Sequence, residues 1–209
     1  MIQEHFDLLQ KLADSGHARN IEIHYNTNGT IFPDGAEEIW QHFRHVEIAF
    51  SIDDVGQRFE YQRSNAHWDE VNANIEMFRQ MRARNSNISL QVCTTVNVFN
   101  VFYLEHVAAW IDQQGFDFVY WNMLHDAPQF CIANLPRKAK DLAEATLRNA
   151  KFSTDNRAEV LRIIDFMQHS RDDLSHKLRH SIKELDQRRD EDLSMVAPEL
   201  ARAINYVKT

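Results

Sequence analysis

The chain is poor in the residues that punctuate or staple a fold: its 209 residues include five glycines, four prolines and two cysteines. So little glycine and proline excludes a collagen-like or low-complexity chain. The two cysteines, Cys93 and Cys131, both sit in apolar stretches, which excludes a disulfide framework and reads as buried thiols of a reducing cytoplasm. No apolar run approaches the ~20 residues of a membrane span, and the acidic amphipathic start MIQEHFDLLQKL is unlike a secretory signal. Basic residues are also outnumbered, 23 Lys and Arg against 31 Asp and Glu for a net charge of -8. A general nucleic-acid binder needs a basic surface to displace phosphate counterions, so that class is excluded. The phosphate-cradling patterns GxGxxG and GxxxxGK and the nucleophile elbow GxSxG are absent as well. What is present, 44% apolar and 26% charged residues, is enough for one good-sized domain or one domain with a helical appendage.

The few glycines fall where elements should end. Gly16 follows the helix-period run Phe6, Leu8, Leu9, Leu12, Ala13; Gly29, Pro33 and Gly35 follow 21–25; Gly56 follows 46–52; and Gly115 follows a helix ending at Trp110 and Ile111. Between these marks the period alternates. Strands are predicted at 21–25, 46–52, 89–96 and 116–121, and helices at 37–44, 69–84 and 102–113, with Val71, Ile75, Phe78 and Met81 pointing inward. Strand and helix at this spacing imply right-handed crossovers and a parallel sheet. After Pro136 the strand pattern stops and 137–150, 155–170, 172–189 and 197–207 read as helix. The fold class is therefore α/β: about four parallel strands of a partial, TIM-like (β/α) barrel over 1–135, followed by an all-helical extension over 136–209. Leu174, Leu178, Ile182 and Leu185 define a buried stripe, and Lys183, Asp186, Arg188, Arg189, Asp190 and Glu191 a solvated face.

Parallel sheets of this kind bind ligands at the C-terminal ends of their strands. The four junctions there read Asn26-Thr27-Asn28-Gly29-Thr30; Ser51-Ile52-Asp53-Asp54 with Arg58 and Tyr61-Gln62-Arg63; Thr94-Thr95-Val96-Asn97 with Asn100; and Trp121-Asn122 with His125-Asp126. Small polar side chains at all four point to a polar ligand pocket whose chemistry is hydrogen bonding: Asp53 can accept from ribose-type hydroxyls and Arg63 can pair with a carboxylate.

The runs IEIHYNTNGTIFP, VEIAFSIDDVGQRFEYQR, VCTTVNVFN and VYWNMLHDAPQFCIANLP, in this order, resemble the radical S-adenosylmethionine (radical SAM) enzymes, and the ending KELDQRRDEDLSMVAPEL resembles the helical tail of the twitch-domain-containing group. The resemblance implies a SAM-facing wall. Asn28 belongs to one strand junction, Ser51 and Asp53 to the next, and Arg63 to a position that holds the methionine carboxylate. Thr94 and Asn97 lie near ribose and adenine, and Asn122 beside the strand whose backbone flanks adenine. It implies S-adenosylmethionine as cofactor. It also implies that full-length relatives hold a [4Fe–4S] cluster on a CxxxCxxC loop that this sequence lacks, Cys93 and Cys131 being too few and too far apart to ligate it. A glycine-glycine-acid run is absent too, so the resemblance treats Met1 as an internal position, with the cluster-binding front and any twitch domain missing. No metal site is expected within the chain, and its own activity is expected to be nil. The expected partner is either the missing N-terminal half or a second copy, joined through the open strand 21–25, with no nucleic acid and no membrane. The alternative is a non-catalytic split or degenerate module that binds a partner chain or a nucleoside.

Other constellations read as ordinary. His42 with His45 and His176 with His180 have helical spacing but no third ligand nearby, and read as surface residues. His125-Asp126 reads as a turn before Pro128, His24 as a sheet-face residue, Cys93 as a buried strand thiol, and the four tryptophans as mostly core.

Overall fold

The computed structural model describes residues 3–170 and 172–208. Helix α1 (Gln3–Asp14) precedes strand β1 (Glu22–Thr27), and α2 (Ala36–Trp40) leads to β2 (His45–Ser51). Helices α3 (Gln57–Gln62) and α4 (Trp68–Arg84) lead to β3 (Ile88–Val96), and α5 (Leu104–Gln114) to β4 (Phe118–Met123). The strands form one parallel sheet in the order β1-β2-β3-β4. The remainder is helical: α6 (Arg137–Asn149), α7 (Thr154–Gln168), α8 (Ser175–Arg189), α9 (Leu193–Val196) and α10 (Pro198–Ala203). The α/β alternation and the helical C-terminal part are thus as the periodicity predicts. Packing divides the chain into two compact units, the first comprising residues up to Ser51 with 66–93 and 116–120, the second 52–65, 94–115 and Trp121 onward.

The first unit owes its core to strand alternation meeting a helix stripe. Ile23, Tyr25 and Thr27 pair in register with Val46, Ile48 and Phe50, which pair in turn with Ile88, Leu90 and Val92. On the buried side of β2 and β3 lie Val46, Ile48, Phe50, Leu90 and Val92, with the predicted stripe Val71, Ile75, Phe78 and Met81 of α4, all nearly inaccessible. The Phe78 ring stands 5.2 Å from Phe50 and 4.7 Å from Phe32, edge-to-face in both cases. Each such buried side chain contributes about 1.5–3 kcal/mol. The opposite sheet face is polar: His24 Nδ1 lies 2.6 Å from Glu47 Oε1, His45 Nε2 lies 2.9 Å from Ser89 Oγ, and Gln91 donates to Cys93 Sγ at 3.0 Å. Alternation puts Cys93 on this face, so it is half-buried rather than a core thiol, while Cys131 is buried. Strands β1 and β4 are the outer ones.

The second unit is built on helix stripes: Val160, Ile163, Ile164 and Met167 of α7, Leu178 and Ile182 of α8, with Leu193, Leu200 and Ile204, are buried. Leu174 and Leu185, expected in the buried stripe, are half-buried. Asp186 departs from expectation: predicted on a solvated face, it is 1% exposed. Its carboxylate accepts from the hydroxyls of Tyr61 (2.8 Å) and Tyr206 (2.7 Å) and from the Leu193 N–H (3.0 Å), and these three donors replace water around the charge.

Other boundaries differ as well. The helix expected over 37–44 ends at Trp40, and of the helix expected over 197–207 only Pro198–Ala203 is helical, since Ala197 has non-helical backbone (φ -134°) and Pro198 begins the helix. Strand β4 starts two residues late, since the Asp117 carboxylate accepts from the Leu90 N–H (2.8 Å) and Arg82 (3.0 Å) in a loop before it. Trp40 and Trp121 are core residues, whereas Trp68 and Trp110 are half-buried.

Candidate functional site

In the second unit the site is organised by Asp53, two residues beyond the end of β2. One of its carboxylate oxygens accepts from the Thr95 N–H at 2.9 Å, the other from Arg63 Nη2 at 2.7 Å, and its carbonyl accepts from Asn100 Nδ2 at 2.7 Å. Arg63 ends α3, and its Nε is buried with no hydrogen-bond partner among the described residues. Asn97 follows β3 with every polar group committed: its amide donates to Gln62 Oε1 (3.0 Å) and the Thr95 carbonyl, its Oδ1 accepts from the Phe99 N–H, and its own N–H meets Asn100 Oδ1. Asp53 and Asn97 line a cavity of about 240 Å³ whose other walls include Tyr61, Gln62, Phe99, Phe130 and Arg189. The rings of Tyr61 and Phe99 lie 5.7 Å apart, and those of Phe99 and Phe130 5.5 Å.

The remaining expected site residues are placed otherwise. Thr94 is fully buried and its hydroxyl donates to the Ile52 carbonyl at 2.8 Å, so it lines no part of this cavity. Asn122 is exposed at the end of β4 and also lies outside it. Asn28 and Ser51 belong to the first unit, where they line a separate cavity of about 420 Å³ with Tyr25, Asn26, Thr30 and Trp40. There the Asn28 Oδ1 accepts from the N–H (3.1 Å) and hydroxyl (2.8 Å) of Thr30, a local turn.

Asp54 is marked in the sequence by nothing beyond its place in the second junction. It is completely buried, accepting from the Val55 N–H (2.8 Å), from Arg58 Nε (3.0 and 3.1 Å) and from Gln62 Nε2 (3.3 Å). Burial pushes its carboxyl up to about 7 against the pull of the Arg58 guanidinium. Arg58 in turn lies over the Tyr103 ring (4.3 Å) and reaches His106 Nδ1 (3.1 Å). Burial, reinforced by the hydrogen bond that Tyr103 donates to Glu199, raises the Tyr103 hydroxyl well above the ordinary phenol range. Gln62 therefore ties a buried titrating carboxyl to Asn97 on the cavity wall. Arg189, expected on the solvated face, donates to the Tyr61 carbonyl at 2.9 Å and borders the cavity.

No group of three or more His, Cys, Asp or Glu among the described residues could hold a metal ion. Two cysteines, one half-buried on a sheet and one buried beside a turn, do not fit a three-thiolate iron–sulfur cluster, and no step through such a cluster is derived for this chain.

No family model matches the sequence, and no curated protein matches it. Among solved structures, the chain is similar to polyhistidine-tagged anSMEcpe with bound AdoMet, at a TM-score of 0.50 and 13% identity over 70% of this chain and 40% of that one. Native anSMEcpe with bound AdoMet and Cp18Cys peptide aligns at a TM-score of 0.49 and 12% identity, over 70% of this chain and 42% of that one. The chain thus spans about two fifths of the length of these structures, and what it shares with them is the fold, a partial TIM-like arrangement of parallel strands with crossover helices.

Proposed function

We propose that this chain supplies part of the S-adenosylmethionine-facing wall of a radical SAM protein, and that the second unit carries it. The observation behind the reading is the Asp53 carboxylate. It is anchored by Thr95 and Arg63, yet it borders a cavity beside β-strand ends, and two of its roughly four lone-pair directions remain to accept hydroxyls. Ribose hydroxyls are the donors this arrangement suits. Arg63 does not itself line this cavity but holds Asp53 from behind it; its buried Nε has no hydrogen-bond partner among the described residues, an orphan that costs about 1–3 kcal/mol and is the donor this reading assigns to a ligand carboxylate. Tyr61, Phe99 and Phe130 offer ring surfaces for adenine. The AdoMet bound in the similarly folded anSMEcpe supports the choice of ligand.

In this reading the protein's part is positioning. When bound, S-adenosylmethionine supplies an activated sulfonium, while the electron that starts radical chemistry has to come from a cluster held by another polypeptide or segment. Asn28, Ser51, Thr94 and Asn122 remain wall residues only in the sense that their strands carry the junctions. The order of motifs along the sequence favours the twitch-associated type, and the two free cysteines favour a reducing, cytoplasmic location. The open edge of β1 is the proposed seat of the missing half or of a second copy. Calorimetry tests the ligand: S-adenosylmethionine and S-adenosylhomocysteine bind one-to-one, and Asp53→Asn, with an unchanged melting temperature, weakens both at least tenfold. Absence of binding, or an affinity indifferent to Asp53, contradicts the reading.

A further inference from the structure

On one side the sheet of the first unit ends at Phe118, Val119 and Tyr120 of β4, and all three side chains are exposed. Side chains alternate along a strand, so Phe118 and Tyr120 leave one face and Val119 the other, and solvent reaches both. The edge itself is open. The Asp117 N–H donates to the Leu90 carbonyl of β3 at 2.9 Å, and alternation then turns the N–H and C=O groups of Phe118 and Tyr120 outward, away from β3. No turn or loop among the described residues bonds to those backbone groups. An uncharged row of unpaired donors and acceptors is a template for a further strand.

Charge and symmetry select which strand. Each chain carries a net charge of -8, so two copies repel wherever carboxylates approach within a Debye length, about 10 Å at 0.1 M salt. Strand β4 has no charged residue from Phe118 to Met123, and the flanking Asp117 carboxylate is engaged by Arg82 at 3.0 Å and by the Leu90 N–H at 2.8 Å. The other outer strand, β1, is guarded: Glu22 lies 3.3 Å from Arg44 and His24 2.6 Å from Glu47. Of the two edges, β4 is therefore the one that suits a second copy. A two-fold axis through Val119 runs two β4 strands antiparallel and sets Phe118 opposite Tyr120 of the second copy, on each side of the axis. The outward backbone groups of Phe118 and Tyr120 then exchange both of their hydrogen bonds, and their rings meet on one face as cross-strand aromatic pairs. Val119 faces itself in a non-hydrogen-bonded pair, with Cα atoms about 4.5 Å apart.

We propose that the outward edge of β4 is a self-association surface, pairing with the same strand of a second copy about a two-fold axis at Val119. The proposal does not depend on the reading of the second unit. One strand edge makes a small contact, in the transient class below about 1,200 Å², so sedimentation velocity of the full chain shows monomer passing to dimer as concentration rises. Val119→Lys and Val119→Glu, at an exposed position, each bring like charges face to face and weaken association about tenfold without shifting the melting temperature. Mixed in equal amounts the two variants associate again, because the axis then pairs lysine with glutamate. Val119→Cys forms an intermolecular disulfide under mild oxidation faster than the wild-type thiols Cys93 and Cys131 do. A wild-type chain that stays monomeric at every concentration, lysine and glutamate variants that associate as before, a mixture no better than either alone, or a cysteine variant that cross-links no faster than wild type overturns the proposal.

Discussion

Asp186 keeps a carboxylate out of water with three donors and no ion-pair partner among the described residues, so each donor matters. Replacing it with alanine orphans two tyrosine hydroxyls and a backbone N–H, and Asp186→Ala is expected to lose about 2–4 kcal/mol of stability, read from urea unfolding; a loss below about 1 kcal/mol would show that water substitutes for the carboxylate. Asp54 makes a pH prediction. Its carboxyl titrates near 7 in the folded chain against an ordinary 3.8, so between those values the folded state binds more protons than the unfolded one. Its contribution is complete below about pH 4 and is lost as pH rises to about 7, by on the order of 4 kcal/mol. Wild-type stability relative to Asp54→Asn therefore falls across that window; a flat difference refutes the assignment. Both residues stand in the sequence as polar positions among polar neighbours. The partners that make burial tolerable for Asp186 come from far away, Tyr61 being 125 positions distant. Thr94 is different: strand parity groups it with Leu90 and Val92, and that alternation by itself announces a buried side chain.

At the scale of elements, the Asn28-Gly29 turn sets the rim of the first unit's cavity. Gly29 has φ +75°, and an added Cβ would stand 3.1 Å from Val71 Cγ1. Gly29→Ala is expected to cost about 1–2 kcal/mol from the left-handed backbone alone, measured as a drop in urea midpoint with unchanged slope; an unchanged midpoint contradicts the fixed turn. Strand β4 presents a second case. Phe118, Val119 and Tyr120 are 55%, 43% and 55% exposed on an outer strand with no charged residue from Phe118 to Met123. Edges of that kind are normally guarded by lysine or proline. Tyr120→Lys is expected to reduce concentration-dependent association in sedimentation, and association unaffected by the lysine would place it elsewhere. The strands and long helices were legible because their periods repeat over enough residues. Helix α3 was not: six residues after Gly56 carry only Phe59 and Tyr61 as buried positions, too short a run for a helical period. Yet it is α3 that carries Tyr61 and Gln62 to the second unit's cavity, and Arg63 at its end pairs with Asp53 on the cavity wall.

For the molecule as a whole, the sequence order of strand junctions located Asp53 and Asn97 together, while Asn28 and Ser51 line a different cavity. The linear order of residues cannot tell that these junctions border two pockets, because Ser51 and Asp53, two residues apart in one junction, belong to different compact units and line different cavities. The central claim is that the second unit is the one that meets an adenosyl ligand. Backbone amide NMR during titration with S-adenosylmethionine tests this most directly. The expected result is shifts concentrated at Asp53, Arg63, Thr95, Asn97 and Phe99, with the amides of Asn28 and Ser51 little changed; shifts concentrated at the Tyr25–Trp40 cavity instead, or none anywhere, would contradict it.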